Sequence, residues 1–291
     1  MPSELTRSVI PQGELHLRST LRPLGGWFDA SGWWRTMHTP EGTATILVRR
    51  TTAAVEATAW GEGAGWSLDG LPALIGADDN WELETDHPLV RDLVRRNRGK
   101  RFGSTRLVTE ALMRAVVEQR VTSREAHRSW AALRRAISEP GPGPHGLLPP
   151  DPERIARMPY YEFHRFGIEK NRADTLRRVA KDRERIDALR DRTSDEARSC
   201  LERLPGVGEW SSAQTVIASH GDPDAVPVGD FHHKHQVAYH LTGRPRGTDE
   251  EMMELLEPFR PHRGRILRLL WTLDRYPAFA PGRPTTPIAG L

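Results

Sequence analysis

LPGVGEWSSAQTVIASHGDPDAVPVGDFHHKHQ, residues 204–236, decides how this chain is built. A helix arriving through Cys200 must stop at Pro205 and Gly206, and a second helix starts almost at once after Gly208, because proline and glycine punctuate helices. Residues 200–219 therefore read as a helix-hairpin-helix. Gly206 and Gly208 allow a tight turn and bring its backbone N–H groups to the surface. A phosphate can then sit against the start of the second helix with no side chain intruding. A glycine turn between two helices is common in plain structural hairpins. The sequel is less common: one amphipathic helix, a loop containing Gly221, Pro223, Pro227 and Gly229, and then Asp230 at the N-cap of the next helix.

Upstream, the hydrophobic period changes once. GELHLRSTLRPL (13–24), TATILVRRT (43–51) and AVEATAWG (54–61) alternate apolar with polar between Gly, Pro and Asp turns, and read as strands of an antiparallel sheet. Trp27, Trp33, Trp34, Trp60 and Trp66 supply large apolar bodies for its core. From about residue 88 apolar positions recur at three and four, as in LVRDLVRRN, LVTEALMRAVVEQRV and REAHRSWAALRRAI. SEPGPGPHGLLPPDP (138–152) is a loop that ends in a helix start at Asp151-Pro152. Further helices are predicted at about 169–180, 194–203, 209–219, 230–242, 248–257 and 261–275. The fold class is thus α+β and mainly α, with a strand-rich domain at 1–87 followed by an all-helical domain at 88–291.

Composition narrows the class. Hydrophobic residues make up 37% and charged residues 28%, which excludes a disordered chain. Cys200 is the only cysteine, so this chain can build no internal disulfide, thiolate zinc site or cysteine-held iron–sulfur cluster. No stretch approaches the apolar run that a membrane span needs, and the N-terminus lacks a signal-peptide pattern, so the cytoplasm is the expected compartment. Arginine supplies nearly all the positive charge, lysine standing only at 100, 170, 181 and 234. That bias suits phosphate contact, and it also follows from a GC-rich coding sequence.

Hairpin, Gly/Pro loop and Asp230 together resemble the signature of the helix-hairpin-helix DNA glycosylase superfamily. The resemblance extends to the 3-methyladenine DNA glycosylase II (AlkA-like) group through GLPALIGADD (70–79), EALMRAVVEQRVT (110–122), FGIEKNRADTLRRVA (166–180) and LEPFRPHRGRILRLLW (256–271). It covers nearly the whole chain. It implies base-excision repair: a damaged, alkylated base of the 3-methyladenine type is flipped out of double-stranded DNA and its N-glycosidic bond hydrolysed, leaving an abasic site. Asp230 is the implied catalytic residue, and the chemistry agrees. Backbone N–H groups and the helix dipole favour a negative charge at a helix start. A fixed anion there stabilises oxocarbenium-like charge on the sugar and can orient or deprotonate the attacking water.

The remaining site residues follow from the same resemblance. Members that nick the strand carry a lysine two residues after the second hairpin glycine; here Trp210 stands there, and an indole cannot form the imine, so a monofunctional enzyme is expected. Trp210, Phe231 and Trp271 match the aromatic positions of the base pocket, with core packing the lesser alternative for Trp210. Gly206, Val207 and Gly208 are expected to meet the DNA backbone. Gln119 and Arg120 lie in the segment that fills the gap left by the extruded base; a plain surface arginine is the alternative for Arg120. The run His232-His233-Lys234-His235, followed by His240, reads as DNA-facing or solvated histidines and not as a metal site. No cofactor or metal is expected, although hairpin carbonyls holding a monovalent cation would leave no mark in sequence. Glu209 departs from the small or basic residue that suits a phosphate site. Damaged duplex DNA is the expected partner, the chain acting as a monomer. Two readings stay open: a non-catalytic binder of damaged DNA, against which Asp230 argues, and a glycosylase for oxidised or deaminated bases.

Overall fold

A computed structural model describes residues 4–277. β1 (Leu5–Val9), β2 (Trp27–Phe28), β3 (Trp33–Thr39), β4 (Gly42–Arg50) and β5 (Val55–Trp60) form one antiparallel sheet in the order β1-β5-β4-β3-β2. Alternation sorts its two faces. Trp33, Met37, Ala44, Ile46, Val48, Val55, Ala57 and Ala59 point into one core, where they meet α1 (Leu17–Leu21), α2 (Ala64–Asp69) and α3 (Leu71–Leu74). On the other face Trp27, Trp34 and Trp60 stack in a row, with centroids 6.4 and 5.6 Å apart. The Pro/Gly loop is the cover of that row. Any Cβ at Gly143 or Gly146, both at positive φ, would strike Trp60 or Trp27. Leu147 C=O accepts from Thr36 Oγ1 at 2.5 Å, and Arg134 Nε donates to Leu148 C=O at 3.0 Å.

One expected strand is corrected. Within 13–24 the chain forms α1 and a short 3₁₀ turn, with Ser19 and Thr20 N–H donating to His16 C=O. Leu17, Leu21 and Leu24 are spaced four and three apart, and this helical period outweighs the short alternation at Leu15 and Leu17. The sheet's edge is instead β1, whose LTRSV sequence has apolar residues only at its two ends.

The helices follow as α4 (Pro88–Arg96), α5 (Val108–Glu118), α6 (Ser123–Ile137), α7 (Pro152–Arg157), α8 (Lys170–Lys181), α9 (Arg183–Asp187), α10 (Ser194–Leu201), α11 (Glu209–Ser219), α12 (His233–Thr242), α13 (Asp249–Leu256) and α14 (Arg263–Leu270). Among the described residues no helix is long and apolar enough to cross a membrane. α14 is shorter than expected at both ends, beginning after Pro261 and His262 and stopping at Trp271. Two larger helical cores result, beside a smaller cluster of Ala197, Ala213, Val216 and Ala225. One packs α5, α6 and α8 with Leu201 and Val207; the other packs α4 with α12, α13 and α14 and takes in Trp81 and Leu83. α7 starts as expected, with Asp151 accepting from Glu153 N–H and Pro152 in the first turn. The site lies where the two helical cores face each other.

Candidate functional site

α10 opens with a capping box between Thr193 and Glu196 and stops at Leu201, after which residues 202–208 make the hairpin turn. Gly206 has φ +93°, and Thr175 Oγ1 of α8 occupies the space a Cβ would need, so both backbone and packing demand glycine there. Gly208 is different: its backbone is extended, and nothing lies within 4 Å of an added Cβ. It opens α11 with no side-chain cap, leaving the first-turn N–H groups unclaimed by any side chain. Val207, expected to meet the DNA backbone through this turn, does not present its side chain to it. Its side chain is buried in the helical core and its N–H donates to Leu204 C=O at 3.0 Å, so it anchors the turn from within.

Gln119, Arg120, Gly206, Gly208, Trp210, Asp230, Phe231 and Trp271 all line one cleft of about 1250 Å³. Both carboxylate oxygens of Asp230 are held. Oδ1 accepts from the backbone N–H of His232 at 2.8 Å and of His233 at 3.1 Å, and Oδ2 accepts from the Trp210 indole N–H at 3.3 Å. The expected N-cap is thereby shifted. α12 begins at His233 with His232 as its N-cap, and Asp230 precedes them, its side chain reaching forward across a turn to the first N–H groups. Gly229, at φ +90°, turns the chain just before it and donates its N–H to Asp249 Oδ1 at 3.2 Å.

Aromatic rings surround the carboxylate. Phe231 is 63% exposed at the cleft's lip. Trp271, the C-cap of α14, meets the His233 ring edge-on at 5.5 Å and carries the Arg275 guanidinium over its own face at 4.1 Å. Of the histidines expected to face DNA or solvent, His232 and His233 line the cleft, whereas His235 does not. His235 is buried and accepts from Gly247 N–H at 3.2 Å, and the His232 ring bonds through Nδ1 to the Tyr276 hydroxyl at 2.8 Å. Burial lowers the pKa of His232 and His233 below the ordinary histidine value, against the pull of Asp230. Both rings are thus neutral at neutral pH and do not cancel the Asp230 charge. Lys234 is tied to Asp249 at 2.8 Å. Among the described residues no cluster of three His, Cys, Asp or Glu side chains is arranged to hold a metal ion.

The opposite wall is the segment after α5. Gln119 donates its side-chain N–H groups to Gly206 C=O at 2.9 Å and Ser211 Oγ at 2.8 Å, so it fastens this segment to the hairpin. Arg120 is exposed and has φ +56°, a left-handed backbone that costs a non-glycine residue on the order of 1–3 kcal/mol. The Thr122/Glu125 capping box of α6 holds the chain on its other side. Arg172, buried on α8, donates to Val117 C=O at 2.8 Å and Gly167 C=O at 3.0 Å and pins the end of α5. Sequence alone missed Arg172, Arg275 and Tyr276. Arg172 sits within a stretch noted for its resemblance, but nothing marks it as buried, and Tyr276 follows the last helix, where periodicity ends.

No family model matches the chain. It is 26% identical over 195 residues to a probable bifunctional transcriptional activator/DNA repair enzyme AlkA of Mycobacterium tuberculosis, an alignment covering 65% of this chain and 38% of that protein. The chain thus spans well under half the length of the curated relatives it matches. In three dimensions it is similar to a 3-methyladenine DNA glycosylase from Archaeoglobus fulgidus, with a TM-score of 0.75 at 16% identity over 94% of this chain and 100% of that one. It is also similar to an 8-oxoguanine glycosylase/lyase of Clostridium acetobutylicum, with a TM-score of 0.62 at 14% identity over 94% and 99% of the two chains.

Proposed function

From a chain with the fold of the helix-hairpin-helix DNA glycosylases and their signature at residues 204–230, we propose a monofunctional glycosylase. It hydrolyses the N-glycosidic bond of an alkylated base flipped out of double-stranded DNA. The observation that carries this reading is the Asp230 carboxylate, fixed by two backbone N–H groups and an indole N–H in an aromatic cleft beside the uncapped start of α11. As the bond from C1′ to the base lengthens, positive charge grows on the sugar. A preorganised anion stabilises that charge without having to reorient. Water then adds to C1′ and gives its proton to Asp230, while the base leaves with the bonding electron pair.

Trp210, Phe231 and Trp271 are the proposed walls of the base pocket. A cationic N-alkylated purine is drawn to aromatic faces and to the nearby carboxylate, and its charge already weakens the bond to be broken. That supports substrates of the 3-methyladenine type. The N–H groups at the start of α11, with Gly206 and Gly208, are the proposed phosphate contact, and Arg120 the proposed wedge. No lysine stands in the hairpin, and the Lys234 ammonium is engaged by Asp249, which supports hydrolysis without an imine. The test is to incubate the protein with methylated genomic DNA and identify released bases by mass spectrometry, with borohydride present in a parallel reaction. Free 3-methylated or 7-methylated purines, an unbroken abasic strand and no trapped protein–DNA adduct are expected. Release of oxidised or deaminated bases alone would change the substrate class, and a trapped adduct would overturn hydrolysis by water. No release of any base would leave a binder of damaged DNA.

A further inference from the structure

We infer that Asp249, at the start of α13, is a positioning residue for the proposed reaction: by holding Gly229 it sets where the Asp230 carboxylate stands. The inference rests on the glycosylase reading and deepens it. The Asp230 side chain is fixed from downstream by the N–H groups of His232 and His233, and from across the cleft by the Trp210 indole. Its backbone has to be fixed from upstream as well. The residue there is glycine, the least restrained of all, at φ +90° and with nothing within 4 Å of an added Cβ. Packing therefore does not hold it. Val228 N–H donates to Val226 C=O at 2.9 Å, and Asp230 N–H reaches Pro227 C=O only at 3.4 Å, so the loop's own bonds leave the Gly229 amide loose at its join to Asp230.

Asp249 supplies the missing hold. Its Oδ1 accepts from Gly229 N–H at 3.2 Å, and its Oδ2 accepts from the Lys234 ammonium at 2.8 Å. Lys234 lies one helical turn beyond Asp230 on α12, so a single carboxylate grips the chain on both sides of Asp230. That carboxylate is itself well seated. Asp249 opens α13 directly after Thr248, whose capping box with Glu251 fixes the helix start, and Gly247 N–H donates to His235 Nδ1 at 3.2 Å just before it. Asp249 and Lys234 are both partly buried.

Asp249 does not line the cleft, so it acts through Gly229 and not on the DNA. Stabilisation of the charge that grows on the sugar depends on an anion already in place when the bond lengthens. A Gly229 free to turn would let Asp230 drift from that place. The tether therefore serves the chemical step, and affinity for DNA does not depend on it. The bond to Lys234 is a separate matter: it joins α12 to α13 and contributes to stability alone.

The test is single-turnover release of methylated purines from methylated duplex DNA with enzyme in excess, read beside gel-shift affinity and melting temperature. Asp249→Glu keeps the charge and the ion pair, but its extra methylene moves the acceptor off Gly229 N–H. Release should slow on the order of 10-fold, with the melting temperature near that of wild type. Lys234→Met removes the ion pair and leaves Asp249 on Gly229, so the melting temperature should fall slightly while release stays within about threefold of wild type. Asp249→Ala should show both losses. In all three variants the affinity for DNA should change little. The opposite order, with release slowed in Lys234→Met and spared in Asp249→Glu, would make Asp249 a strut between helices and overturn the inference. Losses of release that follow the melting temperature or the affinity would do the same. If Asp249→Ala fails to fold, Asp249→Glu and Lys234→Met decide between them. In each of these cases wild type still releases base, and the glycosylase reading stands. A wild type that releases no base removes both.

Discussion

Asp230 holds its charge in place through hydrogen bonds to both oxygens, so an amide there separates charge from geometry. In Asp230→Asn the side-chain carbonyl still accepts from His232 and His233 N–H, and the start of α12 survives. What is lost is the anion. Base release should fall by at least about 10²–10³-fold, while affinity for lesion-bearing duplex, read by gel shift, stays within a few-fold of wild type. Near-normal turnover would sink the proposed mechanism. That Asp230 stands beside the hairpin and just ahead of a helix was legible in sequence, from the hairpin and the Gly/Pro loop that precede it. Its cap position was not, because an aspartate can reach forward two or three residues and leave the N-cap two residues later. The inward side chain of Val207 was hidden for a similar reason. A one-letter string shows a residue between two glycines, but not that its side chain turns inward to the core.

Helix α5 ends in a device made of three parts: Gln119 bound to the hairpin, Arg120 in a left-handed backbone, and Thr122 capping α6. Strain at Arg120 persists because Gln119 and the Thr122 cap are fixed on its two sides, an arrangement that suits the proposed wedge. Arg120→Ala is expected to slow base release from a fully paired duplex more than from a mismatched or extrahelical context, where less stacking has to be broken. Equal losses in both contexts would count against the wedge. Gln119→Ala acts on the element instead of the contact: with the link to Gly206 and Ser211 gone, the segment is no longer held at its hairpin side. It should show the same substrate-dependent loss with Arg120 intact, and single-turnover rates on the two substrates decide it. The helices were legible wherever a long amphipathic period ran, as in α5, α6 and α8. Short elements were not. α2, α3 and α9 are six, four and five residues long, too short for periodicity to stand out, and β1 has apolar residues only at its ends.

Across the molecule, we propose that residues 1–87 and 88–291 are two units that fold as one, because buried ion pairs cross the seam. Arg265 of α14 pairs with Asp79, their side chains 1% and 3% exposed, and its guanidinium lies between the Trp81 and Phe102 rings. Arg35 of β3 pairs with Glu110 of α5 at 3.0 Å. Removing one partner leaves a buried charge uncompensated, at about 3–5 kcal/mol. Asp79→Ala should therefore lower the melting temperature in a single transition seen alike by tryptophan fluorescence and far-ultraviolet circular dichroism. Two separated transitions would show that the units are independent. This coupling was invisible in sequence, since Asp79 and Arg265 are far apart along the chain and neither lies in a motif for pairing. Histidines give the molecule a second global property. Burial lowers the pKa of His220, His232, His233, His235 and His262 below the ordinary histidine value. Their folded values thus lie below the unfolded ones. As pH falls through about 6.5 the unfolded chain takes up these protons first, so stability is full above that pH and declines as it drops toward the folded values. Carboxylates such as Glu110 and Asp224 enter only later. Burial raises both, but Arg35 and Arg114 at Glu110 and Arg263 at Asp224 outweigh it and hold them below the ordinary range. The melting temperature should therefore be level from pH 8 to 7 and fall between about pH 6.5 and 5, before carboxylates titrate. His220, which is bonded to Leu189 C=O and Ser219 Oγ and does not line the cleft, tests the cause. His220→Gln lowers stability at pH 8 but should flatten the decline below pH 6.5, and a wild-type melting temperature constant down to pH 5 would refute the histidine origin.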